Sequence, residues 1–228
     1  MHYPQLLWLI LKITIYSCGA YILTLMIKDT LPMKTSKILF TLLSALSTSA
    51  VFAQDGGVSD TGIRYNQVGL GYTYASSTDN SSLTGYALDG RALVNKDIYV
   101  SANYTAVSKT DADISRYGVY AGYRLGIASN VDFFAEAGVV SVSYKGTSET
   151  TSSTGYDIAA GVNAALTPDL QGSLKISYPQ YGSNFSDLNK ITFGGSLTYY
   201  VTKEIGASAI VSSNSTGTTY GAGMLYAF

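Results

Sequence analysis

The stretch Tyr220-Gly-Ala-Gly-Met-Leu-Tyr-Ala-Phe228 decides how the rest of the chain is read. In an extended strand alternate side chains point the same way, so Tyr220, Ala222, Met224, Tyr226 and Phe228 form one apolar face tipped with aromatics. Thr219, Gly221, Gly223, Leu225 and Ala227 form the other, small-residue face. A sheet strand with this division needs an apolar environment on one side and a tightly spaced interior on the other.

The same period of two runs through the body of the chain from Ile63 onward, with no convincing stretch of helical period. It marks ten segments: 68–74, 86–94, 98–106, 117–127, 133–144, 156–166, 170–178, 191–201, 205–211 and the closing strand. Their connections alternate in length. Four are short and share a pattern, Asn95-Lys-Asp-Ile98, Asn130-Val-Asp-Phe133, Thr167-Pro-Asp-Leu170 and Thr202-Lys-Glu-Ile205, each with an acid just before the next apolar residue. Five are longer and rich in Ser, Thr, Asp and Asn. Four turns and five loops require ten strands with both ends on the turn side, and the last strand must then pair with the first. Short turns, long loops and an even strand count define a transmembrane up-and-down antiparallel β-barrel, all-β in class.

A soluble sandwich would also alternate, so the aromatics decide between the two. Tyr74, Tyr86, Tyr104, Tyr117, Tyr144, Tyr156, Tyr178, Phe193 and Tyr220 lie beside the long loops, and Phe133, Tyr199, Tyr226 and Phe228 lie nearer the turns. Two belts of this kind are expected at the two interfaces of a membrane. Tyr144 joins the outer belt only if its strand carries a bulge, which is therefore expected there.

With that face in lipid, the opposite parity lines the lumen. It carries Asp89, Arg91, Arg116, Arg124, Glu136, Asp157 and Lys175, along with Tyr99, Tyr120, Phe134 and Tyr200. A basic side chain turned to lipid costs about 2 to 4 kcal/mol at the midplane, so these charges belong inside and are expected to form a lumen ionic network. The rival reading of the same residues is a constriction that selects among passing solutes. Gly69, Gly71, Gly118, Gly122, Gly126, Gly161, Gly194, Gly221 and Gly223 share this parity and leave room for a thin wet space.

Composition narrows the chemistry. The single His, Cys and Trp are His2, Cys18 and Trp8, so residues 54–228 contain none of the three. General acid-base and nucleophilic catalysis lean most heavily on His, and the expectation is that the protein is not an enzyme and has no catalytic residues. Glu136 and Asp157 could be imagined as a glycosidase carboxylate pair, but their reading as partners of Arg124 or Lys175 is preferred. No spacing matches a metal loop; Asp111-Ala-Asp113 and Asp79-Asn80 read as solvated loop, and no metal or cofactor is expected. Residues 54–228 carry 10 basic and 14 acidic side chains with no basic patch, which argues against nucleic acid as a partner.

The amino-terminal end reads as a secretory signal peptide over residues 33–53. Met33-Lys-Thr-Ser-Lys37 supplies the basic start, Ile38 to Leu46 the short apolar core, and Val51 and Ala53 the small cleavage residues. Cleavage after Ala53 leaves 54–228 as the barrel. Residues 1–32 include a second apolar run and are read as an upstream extension, with translation expected to start at Met33 or Met26.

The terminal Phe228 with Tyr226 two positions before it resembles the closing strand of bacterial outer-membrane barrels. Through the pattern of 54–228 the chain resembles the small outer-membrane β-barrel superfamily that includes the OmpA transmembrane domain, OmpX and porin-like relatives. Those two have eight strands, the alternative to the ten counted here. The resemblance implies residence in the outer membrane of a Gram-negative bacterium, a monomer surrounded by outer-membrane lipid, and recognition by the barrel-assembly machinery through Tyr226 and Phe228. It also implies a non-enzymatic structural or surface-interaction role, with a narrow porin-like channel for small solutes as the alternative.

Overall fold

The structure, a computed structural model, describes residues 58–77, 82–109, 112–146 and 149–228. The expected signal peptide and residues 1–32 lie outside the described residues, as do Asp79, Asn80 and Asp111.

Among the described residues ten strands follow one another: β1 (Gln67–Ser77), β2 (Ser82–Leu93), β3 (Ile98–Lys109), β4 (Ala112–Ala128), β5 (Val131–Lys145), β6 (Thr150–Thr167), β7 (Leu170–Gln180), β8 (Thr192–Tyr200), β9 (Ile205–Asn214) and β10 (Gly217–Ala227). Each pairs with its neighbour in sequence, and β1 pairs with β10, so the sheet closes into a barrel. At the seam Val68 faces Tyr226, Tyr72 faces Ala222 and Tyr74 faces Tyr220, all antiparallel. Closure leaves no strand with an unpaired edge, which is the condition for a sheet to survive in hydrocarbon. The count is ten, and the eight-stranded alternative does not apply.

Alternation fixes which face is which. Leu70, Leu174, Phe193 and Met224 are each more than 60% exposed, whereas Tyr99, Phe134 and Tyr200 are at most 2% exposed. Large apolar side chains are thus on the outside, polar and aromatic ones inside, the inverse of a soluble domain. Tyr74, Tyr86, Tyr156, Tyr178, Phe193 and Tyr220 are exposed toward the loop end, and Phe133 and Tyr199 toward the turn end. Tyr104 is buried instead, its ring 6.4 Å from that of Tyr86. The bulge expected for Tyr144 is absent: β5 keeps continuous register with β6 from Val131 to Lys145. Tyr144 therefore has the parity of Glu136 and belongs to the inner face at its outermost end. Register shifts occur elsewhere, in β4 between Gly126 and Ala128 and in β6 between Ala165 and Thr167.

The repeated turns are held by their first residue rather than by the acid. Asn95 Oδ1 accepts from the backbone N–H groups of Asp97 and Ile98 at 2.9 and 2.8 Å. Thr202 Oγ1 accepts from Glu204 and Ile205 at 3.2 and 2.9 Å, and Thr167 Oγ1 from Asp169 and Leu170 at 3.4 and 3.1 Å. These are side-chain mimics of a backbone turn, available to Asn and Thr because their short polar groups reach two and three residues ahead. The fourth turn departs from the others, since Asp132 turns inward and is fully buried.

Candidate functional site in the barrel lumen

The turn end of the lumen is filled by the segment that precedes β1. Residues 58–66 fold back on themselves, with Val58 bridged to Arg64 and a tight turn at Gly62, whose φ of 76° suits a residue without a Cβ. Ile63 and Tyr65 are buried against Leu93, Tyr99 and Phe134, and the Tyr65 and Tyr99 rings lie 5.3 Å apart.

Asp132 is the anchor of this plug. Its Oδ1 accepts from Thr61 Oγ1 at 2.6 Å, and its Oδ2 accepts from the Tyr65 hydroxyl at 3.0 Å and from Arg124 Nε at 2.9 Å. Arg124 Nη2 also donates to Asp132 Oδ1 at 3.2 Å and forms a short contact with the Asp60 carboxylate. Arg124 Nη1 donates to the carbonyl of Lys96 at 2.6 Å. Burial of two opposite charges is tolerable when their remaining hydrogen-bonding positions are also filled, as they are here. The hydrogen bond from Arg124, together with its charge, holds the Asp60 carboxyl below its ordinary range. Burial pushes the Tyr65 hydroxyl up to about 12, so it remains a donor at physiological pH.

Other contacts complete the closure. Asn163 Nδ2 donates to Tyr65 Oη at 3.1 Å, and Gln171 Nε2 donates to the carbonyl of Gly62 at 3.3 Å. Arg64 lies 3.9 Å above the ring of Tyr200 and donates to the carbonyl of Lys203 at 3.0 Å. Tyr200 donates to Gln67 Oε1 at 2.9 Å and packs with Leu225 and Ala227. Asn66 Oδ1 accepts from the N–H of Leu93, and its own carbonyl accepts from the N–H of Phe228 at 3.0 Å.

Above this floor is a cavity of about 270 Å³, placed off centre toward β7, β8 and β9. Its charged side is formed by Asp89, Arg91, Glu136 and Lys175, and its other side by Gly194, Ser196, Thr198, Ser208 and Ser212. Lys175 Nζ donates to Glu136 Oε1 at 2.8 Å, and Glu136 Oε2 accepts from the Tyr99 hydroxyl at 3.1 Å. Nearer the loops, Tyr120 donates to Asp157 Oδ2 at 3.2 Å. There the Arg116 guanidinium lies 5.8 Å from the centre of the Tyr181 ring. Burial raises the Tyr181 hydroxyl above its ordinary value.

The seven expected lumen charges do not join in one network. Among the described residues, Glu136 and Lys175 are the two of the seven that meet in an ion pair. Arg124 pairs with Asp132 and Asp60, both outside the expected set. Asp157 is held by a tyrosine, and Arg91 lies 5.3 Å from the ring centres of both Tyr65 and Tyr99. What sequence reasoning missed is the plug and Asp132. The available signal was Ile63 and Tyr65, which extend the period of two upstream of β1.

A closed barrel of ten strands with an apolar exterior and a polar, charged interior is an integral outer-membrane protein. Residues 38–200 match the family described as "Outer membrane protein beta-barrel domain", well over half of the chain. The chain belongs to that family and resides in the bacterial outer membrane.

Solved structures similar to it include the KdgM porin, with 14% identity and a TM-score of 0.41 over 70% of this chain and 99% of that one. The N-terminal β-barrel domain of Pseudomonas aeruginosa OprF gives 13% identity and a TM-score of 0.39 over 72% and 98%. Ail, the attachment invasion locus protein of Yersinia pestis, gives 16% identity and a TM-score of 0.37 over 72% and 99%. No curated protein sequence matches.

Proposed function

We propose that this protein is a non-enzymatic outer-membrane barrel with a structural or surface-contact role, its lumen shut at the periplasmic rim. The observation that carries this reading is the plug of residues 58–66, bonded through Thr61 and Tyr65 to the buried Asp132. Ions crossing the lumen would have to displace a segment whose polar groups are already satisfied and whose Ile63 and Tyr65 are packed. The absence of His and Cys from residues 54–228 supports the non-enzymatic part. In the same reading the protein is a monomer in outer-membrane lipid, and Tyr226 and Phe228 present the signal to the barrel-assembly machinery.

Planar-bilayer recording of the purified protein tests the closure. No steady unit conductance is expected, and a steady unit conductance overturns the closed reading. The second reading, a narrow porin-like channel for small solutes, is favoured by the cavity and its Gly and Ser wall. It predicts steady conductance in the unaltered protein. In the closed reading conductance appears only after the plug is weakened.

A further inference from the structure

The lumen cavity holds two opposite charges that the protein leaves without hydrogen bonds. Asp89 and Arg91 stand two residues apart on β2 and so project from the same face. Among the described residues, Asp89 accepts no hydrogen bond and has no cation within ion-pair reach, and Arg91 donates none, resting against the rings of Tyr65 and Tyr99 with the Glu136 carboxylate facing it from beyond ion-pair distance. Side by side on one wall of the cavity, the two attract one another without closing to an ion pair. This contrasts with Glu136 and Lys175, which neutralise each other at 2.8 Å. Asp89 is also exposed although it points inward, and Ile210, on the inner face of β9, is 45% exposed. Both exposures open onto the same space.

We propose that this cavity binds a small zwitterion, a molecule carrying a carboxylate and an ammonium group a few ångströms apart. A fixed cation beside a fixed anion makes a local dipole, and a zwitterion lying antiparallel to it satisfies both ends at once. An ion of one sign satisfies one end and is repelled by the other. A neutral polyol can hydrogen-bond to Ser196, Ser208 and either charged group, but it gains no charge–charge attraction from the pair. The volume of about 270 Å³ suits a molecule of amino-acid size. Because the turn end is closed, the ligand enters from the loop side. The inference concerns the cavity and stands whether or not the lumen conducts, which the bilayer recording reads separately.

The test compares glycine with its two halves, acetate and methylammonium, and with glycerol, by equilibrium dialysis against the whole protein purified from outer membranes. Glycine is expected to bind at least about tenfold more tightly than either half, as two charge-assisted contacts imply. Asp89→Asn and Arg91→Gln should each weaken glycine about tenfold and glycerol by less than about threefold. Ser208→Phe, which fills the cavity from the opposite wall and touches neither charge, should abolish glycine binding. Heat-modifiable migration on electrophoresis establishes that each variant is folded. If glycine binds no better than acetate or methylammonium, or the folded charge variants bind it as well as the parent does, Asp89 and Arg91 are merely hydrated and the proposal fails.

Discussion

The two walls of this barrel solve opposite problems. The wall from β3 to β6 contains the long strands, including β4 of 17 residues and β6 of 18, and turns Tyr99, Tyr120, Arg124, Asp132, Phe134 and Glu136 into the lumen. The wall from β7 to β10 is built from strands of 9 to 11 residues and turns inward mostly Gly, Ser and Thr. Large rings need space, and on the crowded wall glycine supplies it: a Cβ on Gly122 would lie 2.1 Å from the ring of Tyr99. On the sparse wall the nearest atoms to a Cβ on Gly194 are 3.8 Å away, an ordinary contact. Glycine therefore has two meanings in one sheet. At Gly122 it is a seat for an aromatic ring, and at Gly194 it leaves room for the cavity.

The most severe way to disturb the crowded wall is to remove its buried acid. Asp132→Ala leaves Arg124, Thr61 and Tyr65 without their shared acceptor, and breaking a buried pair from one side costs about 3 to 5 kcal/mol. Urea unfolding followed by electrophoresis of unheated samples should show that loss. On the proposed closed reading, bilayer recording should show steady conductance in this variant and none in the parent. A variant as stable and as silent as the parent would remove Asp132 from its place as anchor.

Next in size is a matched pair of glycine substitutions. Gly122→Ala forces the Tyr99 ring to move and should cost about 1 to 3 kcal/mol, the usual range for overpacking. Gly194→Ala meets no obstruction and should change stability by less than about 1 kcal/mol, in the stabilising direction, through the unfolded chain. Equal losses at both positions, measured by the same unfolding assay, would erase the distinction between the walls.

The smallest expected effect is a pH dependence at the exposed edge of the plug. Asp60 has a folded value below its ordinary 3.8, so its contribution is complete above that value and is lost as pH falls through the lowered one. Hydrogen exchange in residues 58–66 should therefore accelerate below about pH 4 in the parent, and Asp60→Asn should flatten that change. An unaltered pH profile in the variant would mean that Arg124 is held by Asp132 alone.

Much of this architecture was legible because membrane barrels are written in two simple alternations, one of side chains and one of connection lengths. The count of ten strands and the pairing of β1 with β10 followed from four turns and five loops. Tyr99, Tyr120, Phe134 and Tyr200 were assigned to the lumen from parity alone, and they are buried there. Tyr144 joins the outer belt only through a bulge that β5 does not contain, and parity alone places it correctly on the inner face with Glu136. Asn130-Val-Asp-Phe133 looks like the other turns, yet β5 starts at Val131, one residue before the acid, so strand parity turns Asp132 inward with Phe134 and Glu136. The plug was not legible as such: Ile63 and Tyr65 continue the period of two, and that pattern does not distinguish a further strand from a short segment packed among distant strands.

The hydrogen bond from the Phe228 N–H to the Asn66 carbonyl joins the last residue of the chain to the segment just before the first strand. Contacts between chain ends carry the greatest loop-closure entropy and form late, after the intervening strands are in place. This contact spans nearly the whole barrel sequence, so its formation is expected to follow the pairing of the intervening strands. A half-inserted sheet would expose residues 58–66 to proteases, whereas the completed barrel hides them, so resistance to cleavage in this segment reports maturation itself.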